Sequence, residues 1–190
     1  MTYIDRNLQP KIDELLGFFP AVIIVGARQT GNTTLAKKCQ PGWVHFDLEK
    51  GSDYDFISRD FDFFFKENPK HIIFDEAQEL PQLLRELRGV IDSDRQQKNR
   101  FILTGSSSPE ILEEVSDSLA GRIGIVEVGT LKMNELLSEP LPAFYSIFSS
   151  MLGASFLEYL KSQIVVPNPE STNFDVLHRL LKGGYRCLSR

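Results

Sequence analysis

The sequence predicts an α/β fold: a five-stranded, mostly parallel sheet sandwiched by helices, followed by a short helical C-terminal tail. Three observations carry this. Short β-branched or aromatic runs alternate with helical stretches, the pattern of βαβ units. The first run, Ala21-Val22-Ile23-Ile24-Val25, is apolar at every position, which suits a strand covered on both faces. Polar clusters stand at the ends of three runs, at Gly26 to Gly31, Asp75-Glu76 and Thr104 to Ser106, where open parallel sheets hold ligands.

The elements follow in order. Ile4, Leu8, Ile12, Leu15, Leu16 and Phe19 keep helical spacing over 4–19, with an interruption near Pro10. After the first strand, Thr33 to Lys38 reads as a helix closed by Pro41-Gly42, and Trp43 to Leu48 as a second strand. Residues 53–66 are acidic and aromatic, with Phe56, Phe61, Phe63, Phe64 and Phe65 supplying buried helix positions. His71 to Phe74 is a third strand. Leu80, Leu83, Leu84, Leu87, Val90 and Ile91 stripe a long helix that tolerates Pro81 in its first turn. Phe101 to Thr104 is a fourth strand. Pro109 opens a helix capped by Ser108, and Ile123 to Val128 is a fifth strand. Right-handed crossovers place helices on both faces of such a sheet.

Pro140 and Pro142 mark a change of organisation. The expected division is an α/β domain over 1–140 and a helical linker with the remnant of a further domain over 141–190. In the latter, 143–161 and 174–182 read as helices around Pro167-Asn168-Pro169, the second closed by Gly183-Gly184. About fifty residues are too few to bury a core of their own.

Composition narrows the classes. Of 190 residues, 42% are apolar and 25% charged, which fits a globule with a real core and excludes a disordered chain, a collagen-like repeat or a small disulfide scaffold. The net charge of −5 disfavours a broad nucleic-acid surface but leaves room for a local basic patch. No apolar stretch reaches the ~18–20 residues that cross a bilayer, and Met1 to Arg6 has no signal-sequence pattern. Cys39 and Cys187 lie far apart, as unpaired thiols of a reducing cytoplasm do. His45, His71 and His178 are too scattered for a zinc site, and packing explains them more simply.

The chemistry sits at the strand ends. Gly26-Ala27-Arg28-Gln29-Thr30-Gly31-Asn32-Thr33 matches G-x-x-x-x-G-K-[ST] at every fixed position except one, where Asn32 replaces lysine. Glycines let such a loop curl until its N–H groups face phosphate oxygens, and the helix N-terminus adds its dipole. Gly26 through Thr34 are therefore the expected nucleotide-binding residues, with the Thr33 hydroxyl on Mg²⁺. Asp75-Glu76 ends an apolar strand as a Walker B pair does. Asp75 would hold the Mg²⁺ shell, and Glu76 would act as general base on the attacking water. Thr104 and Ser106 would reach the γ-phosphate or that water. The plainer alternatives are a Gly turn, a solvated acidic turn and ordinary Ser/Gly turn chemistry.

Taken together, Gly26 to Gly31, Phe74-Asp75-Glu76-Ala77-Gln78, Leu103-Thr104-Gly105-Ser106-Ser107 and Leu119-Ala120-Gly121-Arg122-Ile123 resemble the prokaryotic AAA-type ATPases that carry a C-terminal DUF4143 domain, across residues 3–140. The resemblance implies a P-loop NTPase core with an extra strand between the Walker A and Walker B strands. It implies ATP and Mg²⁺ as ligands, and Arg122 as an arginine finger or sensor, against the alternative of a structural arginine.

Two departures qualify it. Asn32 is neutral and shorter than lysine, so it cannot neutralise charge developing on the phosphates. Losing one charge-assisted contact removes roughly 1.5–3 kcal/mol, on the order of ten- to a hundredfold in affinity, and phosphoryl transfer suffers more. Such relatives also continue into a second domain, whereas here Gly183-Gly184-Tyr185 runs into Arg186 and the end, which reads as truncation or a frame change. The expected function is an ATP-binding AAA-type protein with impaired or absent hydrolysis. A slow but active ATPase is one alternative. A helicase-like remodeller, from the likeness of Asp75-Glu76-Ala77-Gln78 to a DExx box, is the other, though the chain is too short for two RecA-like lobes.

Overall fold

The computed structural model describes residues 3–140. They belong to two compact units: Leu8–Gly129 forms one, and residues 3–7 and 130–140 belong to the other. The helices expected over 143–161 and 174–182, and His178, Gly183 to Tyr185 and Cys187, lie outside the described residues.

In the larger unit α1 (Gln9–Phe18) leads into β1 (Ala21–Gly26), then α2 (Asn32–Cys39), β2 (Val44–Asp47), α3 (Gly51–Ser58), α4 (Phe61–Glu67), β3 (Ile72–Asp75), a 3-10 turn (Ala77–Glu79), α5 (Gln82–Ser93), β4 (Phe101–Ser106), α6 (Pro109–Leu119) and β5 (Ile123–Val128). The five strands form one sheet in the order β2-β3-β4-β1-β5. Every neighbouring pair is parallel. β4 thus stands between β1, which carries the glycine loop, and β3, which ends in Asp75.

Alternation along the strands explains why helices cover both faces. Ile23, Val25, Ile72, Phe74, Phe101 and Leu103 point to one side and pack with Ile57, Phe64, Phe65, Leu83, Leu87, Ile111 and Val115 of α3 to α6. Val22, Ile24, Ile73, Ile102 and Val126 point to the other and pack with Ile12 and Leu16 of α1 and Leu35 and Ala36 of α2. Both sides exclude water, so β1 and β3 are buried at every position.

The local differences from expectation have local causes. Pro10 does not interrupt a helix over 4–19; it stands in the first turn of α1, where its missing N–H is no loss. The stretch 53–66 is two helices, because the Asp60 side chain accepts from Phe63 N at 2.9 Å and starts α4 afresh. That cap turns Phe61, Phe64 and Phe65 inward and leaves Phe56 and Phe63 more than half exposed. Leu80 is buried but precedes α5, with Pro81 as its N-cap. Ser108 caps α6 as expected.

In the smaller unit α7 (Met133–Leu137) is organised by a buried Glu135. Its carboxylate accepts from Asn7 N and Lys132 N, both at 2.8 Å, and lies 3.3 Å from Arg6 Nε. Among the described residues no helix is long and apolar enough to cross a membrane.

Candidate functional site

The parallel register sets Gly26 beside Ser106 on β4 and Val128 on β5. The chain then curls through Gln29 (φ 68°) and Gly31 (φ 91°), both left-handed, into α2. Gly31 is the N-cap, so the N–H groups of Asn32, Thr33 and Thr34 have no carbonyl one turn back within the helix. Thr30 spends its N–H on Ala27 O at 3.2 Å, and its hydroxyl lies 2.7 Å from the same oxygen. Gly26 is the tightest point. A Cβ there would meet Val128 O at 2.6 Å, Thr30 Oγ1 at 2.7 Å and Asn32 Oδ1 at 2.8 Å. Ala27, Arg28, Gln29 and Thr34 face solvent. Arg28 lies 3.6 Å from Glu49 in a well-exposed pair, which contributes little.

Asn32 is turned inward. Its Nδ2 donates to Gly105 O at 3.0 Å and more weakly to Gly26 O at 3.5 Å. Its Oδ1 lies 3.0 Å from the Thr30 hydroxyl. Asn32 is thus a neutral tie between the glycine loop and the tip of β4.

Asp75 is the hub of the other half. Its buried Oδ1 accepts from Thr33 Oγ1 at 2.8 Å and from Thr104 Oγ1. Its Oδ2 lies 3.3 Å from His45 Nε2. Thr104 Oγ1 in turn accepts from the Glu76 N–H at 3.2 Å. Glu76 leaves the strand in a left-handed conformation (φ 55°), and its Oε2 accepts from Gln78 Nε2 at 2.6 Å. The structure therefore brings Gly26 to Thr33, Asp75, Glu76, Thr104 and Ser106 to one end of the sheet. His45 and Gln78 join them there. Sequence alone assigns neither a role at this site: Gln78 only closes the motif at 74–78 and His45 reads as packing, because only the β2–β3 register and the 3-10 turn carry them to Asp75 and Glu76.

Arg122 does not join them within this chain. It precedes Ile123, which pairs with Ala21 at the start of β1. At about 3.3 Å per residue the loop is five steps and about 16 Å away along the strand. There Arg122 Nε and Nη2 grip the Asp92 carboxylate at 2.8 and 2.9 Å, and Nη1 donates to Ala120 O. The Arg122 guanidinium, and then that of Arg95, hold the Asp92 carboxyl well below the usual carboxylate range.

Among the described residues no group of three or more His, Cys, Asp and Glu is placed to hold a metal ion. Thr33 and Asp75 offer a different set, one hydroxyl and one carboxylate in contact. That sparse set of hard oxygens fits Mg²⁺, which keeps most of its waters and takes further oxygens from phosphates. The curled loop, with donors exposed at the start of α2, fits the phosphates themselves.

Residues 19–137 match the model of the AAA domain family. Over 134 residues the chain is 32% identical to an uncharacterized protein of Mycobacterium bovis, Mb2031c, and equally to one of Mycobacterium tuberculosis, Rv2008c. The match takes in 69% of this chain but spans only 30% of the length of those relatives. Among solved structures the chain is similar to the Walker-type ATPase PABY2304 of Pyrococcus abyssi, with a TM-score of 0.51 at 18% identity over 77% of this chain and 63% of that one. At that identity the likeness speaks for the fold alone. The sheet order, the loop at the tip of β1 and a family match over more than half of the length agree: the chain belongs to the AAA domain family of P-loop ATPases.

Proposed function

We propose that this module binds ATP with Mg²⁺ at the tip of β1 and hydrolyses it slowly or not at all. The observation that carries the proposal is the inward-turned Asn32, bonded to Gly105 O where a cation would be needed. The binding half is complete by comparison. Loop amides at the start of α2 would receive the phosphates. Thr33 Oγ1 and Asp75 would hold the cation, whose role when bound is to draw charge from the phosphate oxygens.

The catalytic half lacks one part. Glu76 is present to take the proton of an attacking water, and Thr104 and Ser106 stand at the strand tip beside it. No side chain at position 32 can offset negative charge on the phosphates, and Asn32 reaches protein carbonyls instead. An arginine-finger role for Arg122 would have to be exercised on another copy of the chain, since its own loop lies at the other end of the sheet. The intact Asp75-Glu76 pair favours the second reading, a slow ATPase. That the chain is of the kind that carries a C-terminal DUF4143 domain belongs to the same proposal; the matched region spans 30% of the length of the mycobacterial relatives.

The test compares Mg·ATP binding and phosphate release by this chain and by Asn32→Lys. Restoring the cation should raise both by at least about tenfold. Equal, undetectable binding by both proteins contradicts the proposal. Turnover that rises on adding DNA or RNA supports the helicase-like alternative instead.

A further inference from the structure

Glu76 does not stand alone at its strand end. The left-handed turn at Glu76 and the 3-10 turn after it, closed by Glu79 N donating to Glu76 O at 2.9 Å, fold Gln78 back over the strand tip. The Gln78 carboxamide then meets the Glu76 carboxylate at 2.6 Å, a short bond to a charged acceptor and one of the stronger kinds. The orientation of the amide is set by chemistry, since an ionised carboxylate only accepts.

The other end of that amide is unusual. Gln78 Oε1 is buried and has no hydrogen-bond partner. It lies against Gly105, where a Cβ would come within 2.8 Å of it and within 2.9 Å of Ile111 Cδ1. A buried acceptor left unpaired is unfavourable. The amide is tied by its bond to Glu76 and lies against the bare backbone of Gly105. Gly105 is also the residue whose carbonyl Asn32 grips.

From this geometry we infer that Gln78 is a positioning residue for Glu76. It holds the carboxylate against the tip of β4, in a contact that requires a glycine at position 105. The inference rests on the reading of Glu76 as the base. Gln78 acts through Glu76 and does not itself touch the nucleotide. The same contact makes the tip of β4 a common support for Asn32 on one side and for the Gln78–Glu76 pair on the other. A shift of Gly105 would therefore reach both.

Two measurements on the whole chain test this. The first is the side-chain amide NMR signal of Gln78, which should be protected from solvent exchange in the native protein. It should lose that protection in Glu76→Ala and in Gly105→Ala, while far-UV circular dichroism and the backbone spectrum stay native. Protection that persists in Glu76→Ala overturns the inference. The second uses Asn32→Lys as the parent. There Gln78→Ala should lower kcat about tenfold with the Kd for Mg·ATP within twofold, and should have no further effect once Glu76 is already alanine. Unchanged kcat in Gln78→Ala, or kcat and affinity falling together, overturns it as well. If the Asn32→Lys parent does not turn over at all, the reading of Glu76 as base fails, and the amide signal alone decides whether Gln78 holds Glu76.

Discussion

Thr33 Oγ1 donates to Asp75 Oδ1 across 2.8 Å, joining the first turn of α2 to the end of β3 over a sequence gap of 42 residues. Two oxygens of the kind that suit Mg²⁺ are already in place, held by α2 on one side and by the strand ladder on the other. If the pair holds Mg²⁺ as proposed, its pre-assembly leaves little reorganisation of the chain for the cation to drive.

Asp75→Asn tests the charge on that pair. The amide oxygen can still accept from Thr33 and Thr104, and its nitrogen can still face His45, so the fold should persist. The Mg²⁺-dependent part of ATP affinity should fall about ten- to a hundredfold, from loss of one charge-assisted contact of roughly 1.5–3 kcal/mol. Titration calorimetry with and without Mg²⁺ checks this, and an equal loss in both conditions would assign Asp75 a purely structural role.

Gly26→Ala tests the tightness of the loop. Its Cβ would come within 2.6 Å of a backbone oxygen, that of Val128, so the loop or β5 must shift. Overpacking of this kind destabilises by about 1–3 kcal/mol, read as a lower denaturant midpoint with an unchanged slope. Gly42→Ala is the control, because a Cβ there meets nothing within 4 Å. Equal midpoints for the two variants would mean that the loop is looser than described.

The pair at the other end of the sheet predicts a pH dependence. Hydrogen bonds from Arg122 and Arg95 hold the Asp92 carboxyl below its ordinary value. The unfolded chain therefore binds a proton first as pH falls, so the contribution is present above about pH 4, the ordinary carboxyl value, and is lost below it. Thermal melts from pH 6 down to pH 3 should show the native chain losing more stability than Asp92→Asn. High salt should narrow the difference, since the pair is exposed. Parallel melting curves for the two proteins across that range would contradict this.

Much of this was legible in the residues, for physical reasons. A run apolar at every position has few homes other than a doubly covered strand, and β1 fulfils that. The order of the strands was not readable from periodicity, because alternation says nothing about which strands are neighbours; the extra strand between β1 and β3 came from the family resemblance. The aromatic positions over 53–66 do not show where one helix stops and the next begins, because the capping bond of Asp60 resets the phase. Arg122 is instructive in another way. The strand start at Ile123 puts it at the end of the sheet away from the loop, a placement that the motif around it does not encode. His45 and Gln78 depend on strand register and on a left-handed turn at a non-glycine residue, neither of which a motif encodes. The replacement at position 32 was plain, but its inward bond to Gly105 was not, since it needs β4 to lie beside β1.

The most direct measurement is the backbone amide NMR spectrum of the native chain titrated with Mg·ATP. Binding at the tip of β1 predicts saturable shifts concentrated at residues 26–34, 75–76 and 104–106, with a dissociation constant weaker than that of Asn32→Lys under the same conditions. Saturable shifts centred elsewhere on the molecule, with those residues unmoved, would contradict the account.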